Sequence, residues 1–167
     1  MKYLLHFFTC AFSMGICIAG FSQCEIKSSV RADGSMFYFV TPLLFYQTAT
    51  RELKGGVVTD KENYFISLQP RPFPPKPAGR KLKGDIHVLL SNQKTYTLKN
   101  YDSRYTKADS VFELVYLLDK KMMDDFANSE VVTVTMQTKN DEAAQVYTFK
   151  LHKKVISEQL KCLEDMR

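Results

Sequence analysis

Apolar residues are distributed along this chain in two ways. From Tyr3 to Ala19 they form one nearly unbroken run behind the single cation Lys2, interrupted by His6 and by small residues such as Thr9 and Ser13. Beyond residue 24 they recur at short periods between turn-forming residues. The first pattern predicts a secretory signal. Its length also matches the shortest membrane-spanning helix, so a retained anchor is the alternative. Gly20 and Ser22 stand two apart, the arrangement of small residues found before a cleavage site. Residues 1–23 are therefore taken as the signal, with the mature chain expected to begin near Gln23 or Cys24.

The second pattern predicts a single α+β domain over 24–167. MFYFVTPLLFY, residues 36–46, is dense in aromatic and branched side chains and reads as a strand buried on both faces, with Pro42 marking an edge, a bulge or a break. Gly55-Gly56 predicts a two-residue hairpin turn, after which Val57 and Val58 open the returning strand. NYFISLQ, 63–69, alternates Tyr64, Ile66 and Leu68 against Phe65 and Ser67, as a half-buried strand does. PRPFPPKPAGRK follows, with five prolines between 70 and 77 that cannot donate ladder hydrogen bonds, and predicts an exposed polyproline-like loop.

DIHVLLS and KTYTLKN, 85–91 and 94–100, flank Asn92 and Gln93 as a hairpin with Tyr96 and Leu98 facing inward. SVFELVYLL suits either a helix or a strand, and Val111 to Leu117 is assigned to strand. Asp119 stands where an N-cap belongs, Leu118 and Met123 where a hydrophobic staple would form, so a helix is expected over Lys120–Ala127 with Met122, Met123 and Phe126 on its core face. VVTVTMQ (131–137) and QVYTFKLH (145–152) predict two more strands joined around Asn140 and Asp141. In KVISEQLKCLEDM, Ile156, Leu160 and Leu163 fall at helical spacing, with Cys162 beside that stripe. The expected fold is thus mainly antiparallel β-sheet, about six to eight strands in several hairpins, with one internal helix and one C-terminal helix packed on it.

Cysteine usage adds a covalent constraint. Cys10 and Cys17 leave with the leader, and Cys24 and Cys162 remain. Export removes the reductants that keep thiols free, so a Cys24–Cys162 disulfide is expected, two unpaired thiols being the alternative. Such a bridge would close almost the whole domain and, on the chain-entropy argument, stabilise it by about 5 kcal/mol. Its Cα atoms must lie within about 7 Å. Lipidation of Cys24 would ask for a small residue directly before it and a Leu, Ile or Val two further back, where this chain has Phe21, Ser22 and Gln23.

Charge excludes little. Removing Lys2 lowers 23 basic residues to 22 against 18 acidic ones, a net charge of +4, too small an excess to imply nucleic acid. Beyond the leader no further membrane-spanning segment is expected.

Candidate chemistry is sparse. His87 and His152, the histidines left after the leader, lie in predicted strands without ligand-spaced neighbours, so no metal site is expected. No Gly-x-Ser-x-Gly elbow occurs, and Cys162 with either histidine would be disarmed as a nucleophile by oxidation. Asp124 with Asp125 and Asp141 with Glu142 read as solvated charges. No catalytic residue and no cofactor is assigned. Tyr96, Tyr101, Tyr105 and Tyr116 read as cross-strand packing, with stacking on sugar rings as the alternative.

The most distinctive surface feature is the basic run Arg71, Lys76, Arg80, Lys81 and Lys83, free of acids until Asp85. Its functional reading is an interaction loop for phosphate-bearing lipid, polysaccharide or an acidic protein. A stiff loop that keeps a sheet edge from pairing is the plainer reading.

The leader ending in Phe21-Ser22-Gln23, Cys24 at the mature start, the alternating strands and the near-terminal helix bearing Cys162 resemble small exported proteins of Bacteroidota-type bacteria. That resemblance brings no activity and no site residues with it. The expectation is a non-catalytic extracytoplasmic binding or interaction module, periplasmic or secreted, whose partner is a protein or an envelope polymer. The alternatives are a hydrolase-type enzyme whose site assembles only in the fold, and a structural envelope protein anchored by lipid at Cys24.

Overall fold

Period-two alternation dominates the chain beyond residue 24, and the backbone answers with sheet. The computed structural model describes residues 24–31, 34–72, 84–106, 111–136 and 144–166. These form ten strands and two helices: β1 (Ile26–Val30), β2 (Met36–Val40), β3 (Leu43–Gln47), β4 (Glu52–Thr59), β5 (Tyr64–Arg71), β6 (Ile86–Leu90), β7 (Thr95–Thr106), β8 (Val111–Leu118), α1 (Lys120–Asn128), β9 (Val131–Met136), β10 (Gln145–Thr148) and α2 (Val155–Glu164). All pairings are antiparallel, in the order β1-β2-β4-β5-β8-β7-β6-β9-β10, with β3 also on β4.

Ten strands exceed the six to eight expected, for two reasons. IKSSV forms β1 although four of its five side chains are exposed, so it carries no apolar alternation to read. Thr41-Pro42 splits residues 36–46 into β2 and β3, both lying along the same edge of β4. A proline has no amide hydrogen for the ladder, and the pairing register shifts across it.

Gly55-Gly56 is not a turn. Both glycines lie inside β4, and the chain reverses before it at 48–51, where Thr48 takes the Arg51 amide hydrogen on its own hydroxyl at 3.0 Å. The glycines serve close approach instead: a Cβ at Gly55 would collide with the Ser67 carbonyl of β5, and one at Gly56 with the Gln159 side chain of α2.

β7 is the hinge of the architecture. Its first residues pair with β6 and its remainder, from Lys99, with β8, the second ladder shifting register at Tyr101. One strand therefore belongs to two sheets. Past β10, the Lys150 and Leu151 amides both donate to the Phe45 carbonyl of β3, at 3.1 and 3.2 Å. The ladder β4-β5-β8-β7-β6-β9-β10 thereby returns to β4 through β3, with Phe45 and Phe149 stacked at 4.2 Å across the join. This convergence on one acceptor ends the strand expected to reach residue 152. His152 lies instead in a turn before α2, at φ 47°.

Inside this ring sits the core, drawn from every second residue of the strands: Leu53, Val57, Ile66, Leu68, Leu98, Leu114, Tyr116 and Val134, joined by Phe126 of α1 and by Ile156, Leu160 and Leu163 of α2. Each such side chain contributes about 1.5 to 3 kcal/mol on burial. Asp119 caps α1 as expected, accepting the Lys121 amide hydrogen at 2.9 Å.

Gln159, 4% exposed, repairs the break at Pro42. Its Oε1 accepts the Val57 amide hydrogen of β4 at 2.7 Å, and its Nε2 donates to the Thr41 carbonyl at 3.2 Å. One side-chain amide thus fills the missing rung between β4 and the β2–β3 line. Cys24 and Cys162 form the expected disulfide, with Cα atoms 5.9 Å apart at a sequence separation of 138. It fastens the start of β1 to the same helix. No helix among the described residues is long and apolar enough to cross a membrane.

Candidate functional site

The alternation that sends Leu53, Ile66, Leu68, Leu114 and Tyr116 inward sends their neighbours to the opposite face of β4, β5 and β8. Register aligns Glu52 with Arg71, Lys54 with Gln69, Gly56 with Ser67, and Glu113 of β8 with Arg104 of β7. These residues and the outward side of β2 line a groove of about 420 Å³, within the range of ligand sites, roughly 300–1,000 Å³. Phe39, Val40, Pro42, Val58, Val111 and Phe112 supply its apolar walls. Ser29, Arg104 and Thr106 continue it into a shallow depression between β1 and β7 that also includes Arg31, Tyr101 and Asp102.

The floor of the groove carries one buried polar network. Ser67 donates its hydroxyl hydrogen to Glu113 Oε1 at 2.7 Å. Arg104 donates from Nε to Glu113 Oε2 at 2.9 Å, and its Nη2 lies 2.8 Å from the same oxygen as an ion pair. Glu113 is only 9% exposed, so it needs these partners: a buried carboxylate without them is strongly disfavoured. At the rim Glu52 is shared by two cations, 3.3 Å from Arg71 Nε and 3.7 Å from Lys54 Nζ. Neither contact is an aligned hydrogen bond, and Glu52 Oε1 has no hydrogen-bond partner among the described residues.

Beside the depression rings pack together. Phe37, Phe65 and Val115 form a second small apolar cluster, with Val58 packed against it. Tyr101 covers Phe65 at 4.7 Å, and the Arg31 guanidinium lies 4.0 Å above Phe37 and 5.6 Å from Tyr101. Arg31 Nη2 is also 3.3 Å from Asp102, an ion pair without hydrogen-bond alignment.

Of the predicted interaction loop, Arg71 is the last residue of β5 and stands at the rim of this groove, 51% exposed in its side chain. Lys76, Arg80, Lys81 and Lys83 lie outside the described residues. So do Asp141 and Glu142. His87, on an exposed rung of β6, shares a 3.0 Å hydrogen bond with Thr97, and neither it nor His152 lines the groove. Among the described residues no group of three His, Cys, Asp or Glu is placed to hold a metal ion. Of the tyrosines expected to pack across strands, Tyr105 does so on Phe112, whereas Tyr96 packs on Phe126 of α1 and the half-exposed Tyr101 on Phe65 two strands away; Tyr116 is buried, and that burial pushes its hydroxyl to a higher pKa.

One paired-acid expectation is corrected. Asp124 is exposed, but Asp125 is no free surface charge. Its carboxylate accepts from Lys94 Nζ at 2.9 and 2.8 Å, from Asn92 at 3.1 Å and from the Tyr96 hydroxyl. The hydrogen bond from Lys94, then that from Tyr96, holds its carboxyl below the usual value. This cluster straps α1 to the β6–β7 hairpin.

Ser67, Glu113 and Arg104 were not singled out by the sequence, although a signal existed. Ser67 interrupts the apolar run YFISL, and Glu113 is the single polar residue of VFELVYLL. Comparison of the chain with protein-family models, with curated proteins and with solved structures gave no match.

Proposed function

We propose that this chain is an extracytoplasmic, non-catalytic binding module, periplasmic or secreted, whose partner is held in the groove on the outward face of β4, β5 and β8. The single observation that supports this most is the Ser67–Glu113–Arg104 network. It is a fully partnered polar group set into the floor of an open groove, where a strand needs no polar residue for folding. The network is suited to orienting a ligand and poorly suited to attacking one. Ser67 is 1% exposed, and both oxygens of Glu113 are already engaged. The Cys24–Cys162 bridge is the kind that an oxidising compartment preserves. A Cys24 sulfur used in that bridge is not available to carry a thioether-linked lipid. The basic loop enters this reading through Arg71.

Gln69→Trp fills the groove from a strand position where an aromatic ring is tolerated. Calorimetric titration of wild type and variant with lipopolysaccharide and with peptidoglycan fragments tests the reading. Saturable binding by the wild type that falls at least tenfold in Gln69→Trp, with unchanged circular dichroism, is the expected result. Equal binding by the two proteins removes the groove from the account.

A further inference from the structure

We infer that the groove takes an amphiphilic anion: an apolar chain ending in a carboxylate or phosphate group, with the anionic head at the Lys54–Arg71 rim. This assignment rests on the groove being a binding site and adds the chemistry of what binds. The charge arrangement carries it. Glu113 receives hydrogen bonds from Ser67 and from Arg104 Nε and pairs with Arg104 Nη2 as well, and its demand is met. Among the described residues Glu52 is then the one remaining carboxylate of the lining for two cations, Lys54 and Arg71, and it holds both loosely. Among these described groups the rim has one positive charge more than negative, and its ammonium and guanidinium donors are not saturated by their shared acceptor. Lys54 and Arg71 are 41% and 51% exposed, so an incoming head group meets them without first breaking a buried pair. Gln69, opposite Lys54 in the ladder, adds an amide donor at the same place.

Away from the rim the chemistry changes sign. Phe39, Val40, Pro42 and Val58 offer apolar wall and no formal charge. A small hydrophilic anion would leave that wall wet, and a neutral hydrocarbon would leave the cations unused. A chain with one anionic end satisfies both parts. Cations are disfavoured, because their head group would have to displace Lys54 or Arg71 from Glu52 at a site already net positive.

Four ligands of equal chain length test the assignment by competition against 8-anilinonaphthalene-1-sulfonate fluorescence, which no tryptophan of this chain obscures. They are decanoate, decyl phosphate, decanol and decyltrimethylammonium. Decanoate or decyl phosphate is expected to bind at least tenfold more tightly than decanol, and decyltrimethylammonium to displace nothing. The ratio of the two anions distinguishes a carboxylate from a phosphate source. In Lys54→Gln/Arg71→Gln, both exposed positions, anion affinity should fall at least tenfold with decanol unchanged. Glu52→Gln removes the competing carboxylate and should raise anion affinity several-fold. Equal affinity for decanoate and decanol, or insensitivity of the anions to all three substitutions, overturns the anionic head while leaving groove binding intact. No saturable binding by any of the four overturns the amphiphile assignment altogether, and the Gln69→Trp comparison then decides the binding reading separately.

Discussion

The two faces of β4, β5 and β8 use the same three strands for opposite purposes. Inward, Leu53, Val57, Ile66, Leu68, Leu114 and Tyr116 are buried among each other and against both helices. Outward, one residue along, stand Ser67, Gln69 and Glu113 beside a groove, while Phe65 and Val115 of the same face are buried with Phe37 in a small second cluster. Folding energy is concentrated on the first face, where the larger cluster lies, since apolar area removed from water scales with stability. The second face is left to hold polar groups in fixed places. Rigidity made by one face is what positions the other.

Substitutions that respect this division should separate stability from binding. Leu68→Ala, inside the ring, should give the largest effect, a loss of about 3 to 5 kcal/mol by thermal unfolding, from lost transfer energy and the cavity left behind. Removing the bridge with Cys24→Ser and Cys162→Ser should cost about 2 to 5 kcal/mol, read by denaturant titration, if the bridge acts by restricting the unfolded chain. Gln159→Leu keeps the shape but strands the Val57 amide and the Thr41 carbonyl at the Pro42 break. A loss of about 2 to 4 kcal/mol is expected, reading each buried unmade bond at about 1 to 2. Its Val57 amide should also lose hydrogen-exchange protection while that of Ile86 does not.

The smallest effect concerns the surface strap. Because its folded pKa is lowered, Asp125 contributes stability that is fully present above the ordinary value of 3.8 and is lost as pH falls through the folded value. Lys94 and Tyr96 are raised above 10.5 and 10.0 by the same contacts, so their contribution is present below those values and fades as pH rises through the folded ones. Asp125→Asn should flatten the melting temperature at both extremes and leave groove binding unchanged. Unaltered pH profiles would show that the strap carries no net energy, as many exposed ion pairs do not.

Much of the inner face was legible in the sequence, because burial leaves a periodic trace. The Asp119 cap, both helices, the β6–β7 hairpin and the clasp from Cys24 to Cys162 followed from local rules. Gly55-Gly56 misled, since glycine marks close backbone approach as well as turns, and only the position of Gln159, about a hundred residues later, tells them apart. β1 was silent because an exposed edge strand needs no apolar alternation. The groove was least legible. Ser67, Arg104 and Glu113 come from three strands, and what makes them a unit is register, which single-strand patterns do not contain.

The most direct test of the division between faces is to follow backbone amide chemical shifts while decanoate is added to the isotopically labelled protein. Saturable shifts grouped at Lys54, Gly56, Ser67, Gln69, Arg71, Arg104 and Glu113, with Leu98 and Val134 unmoved, are the predicted result. Shifts grouped on β9, β10 or α1, or spread evenly over the chain, would contradict the account.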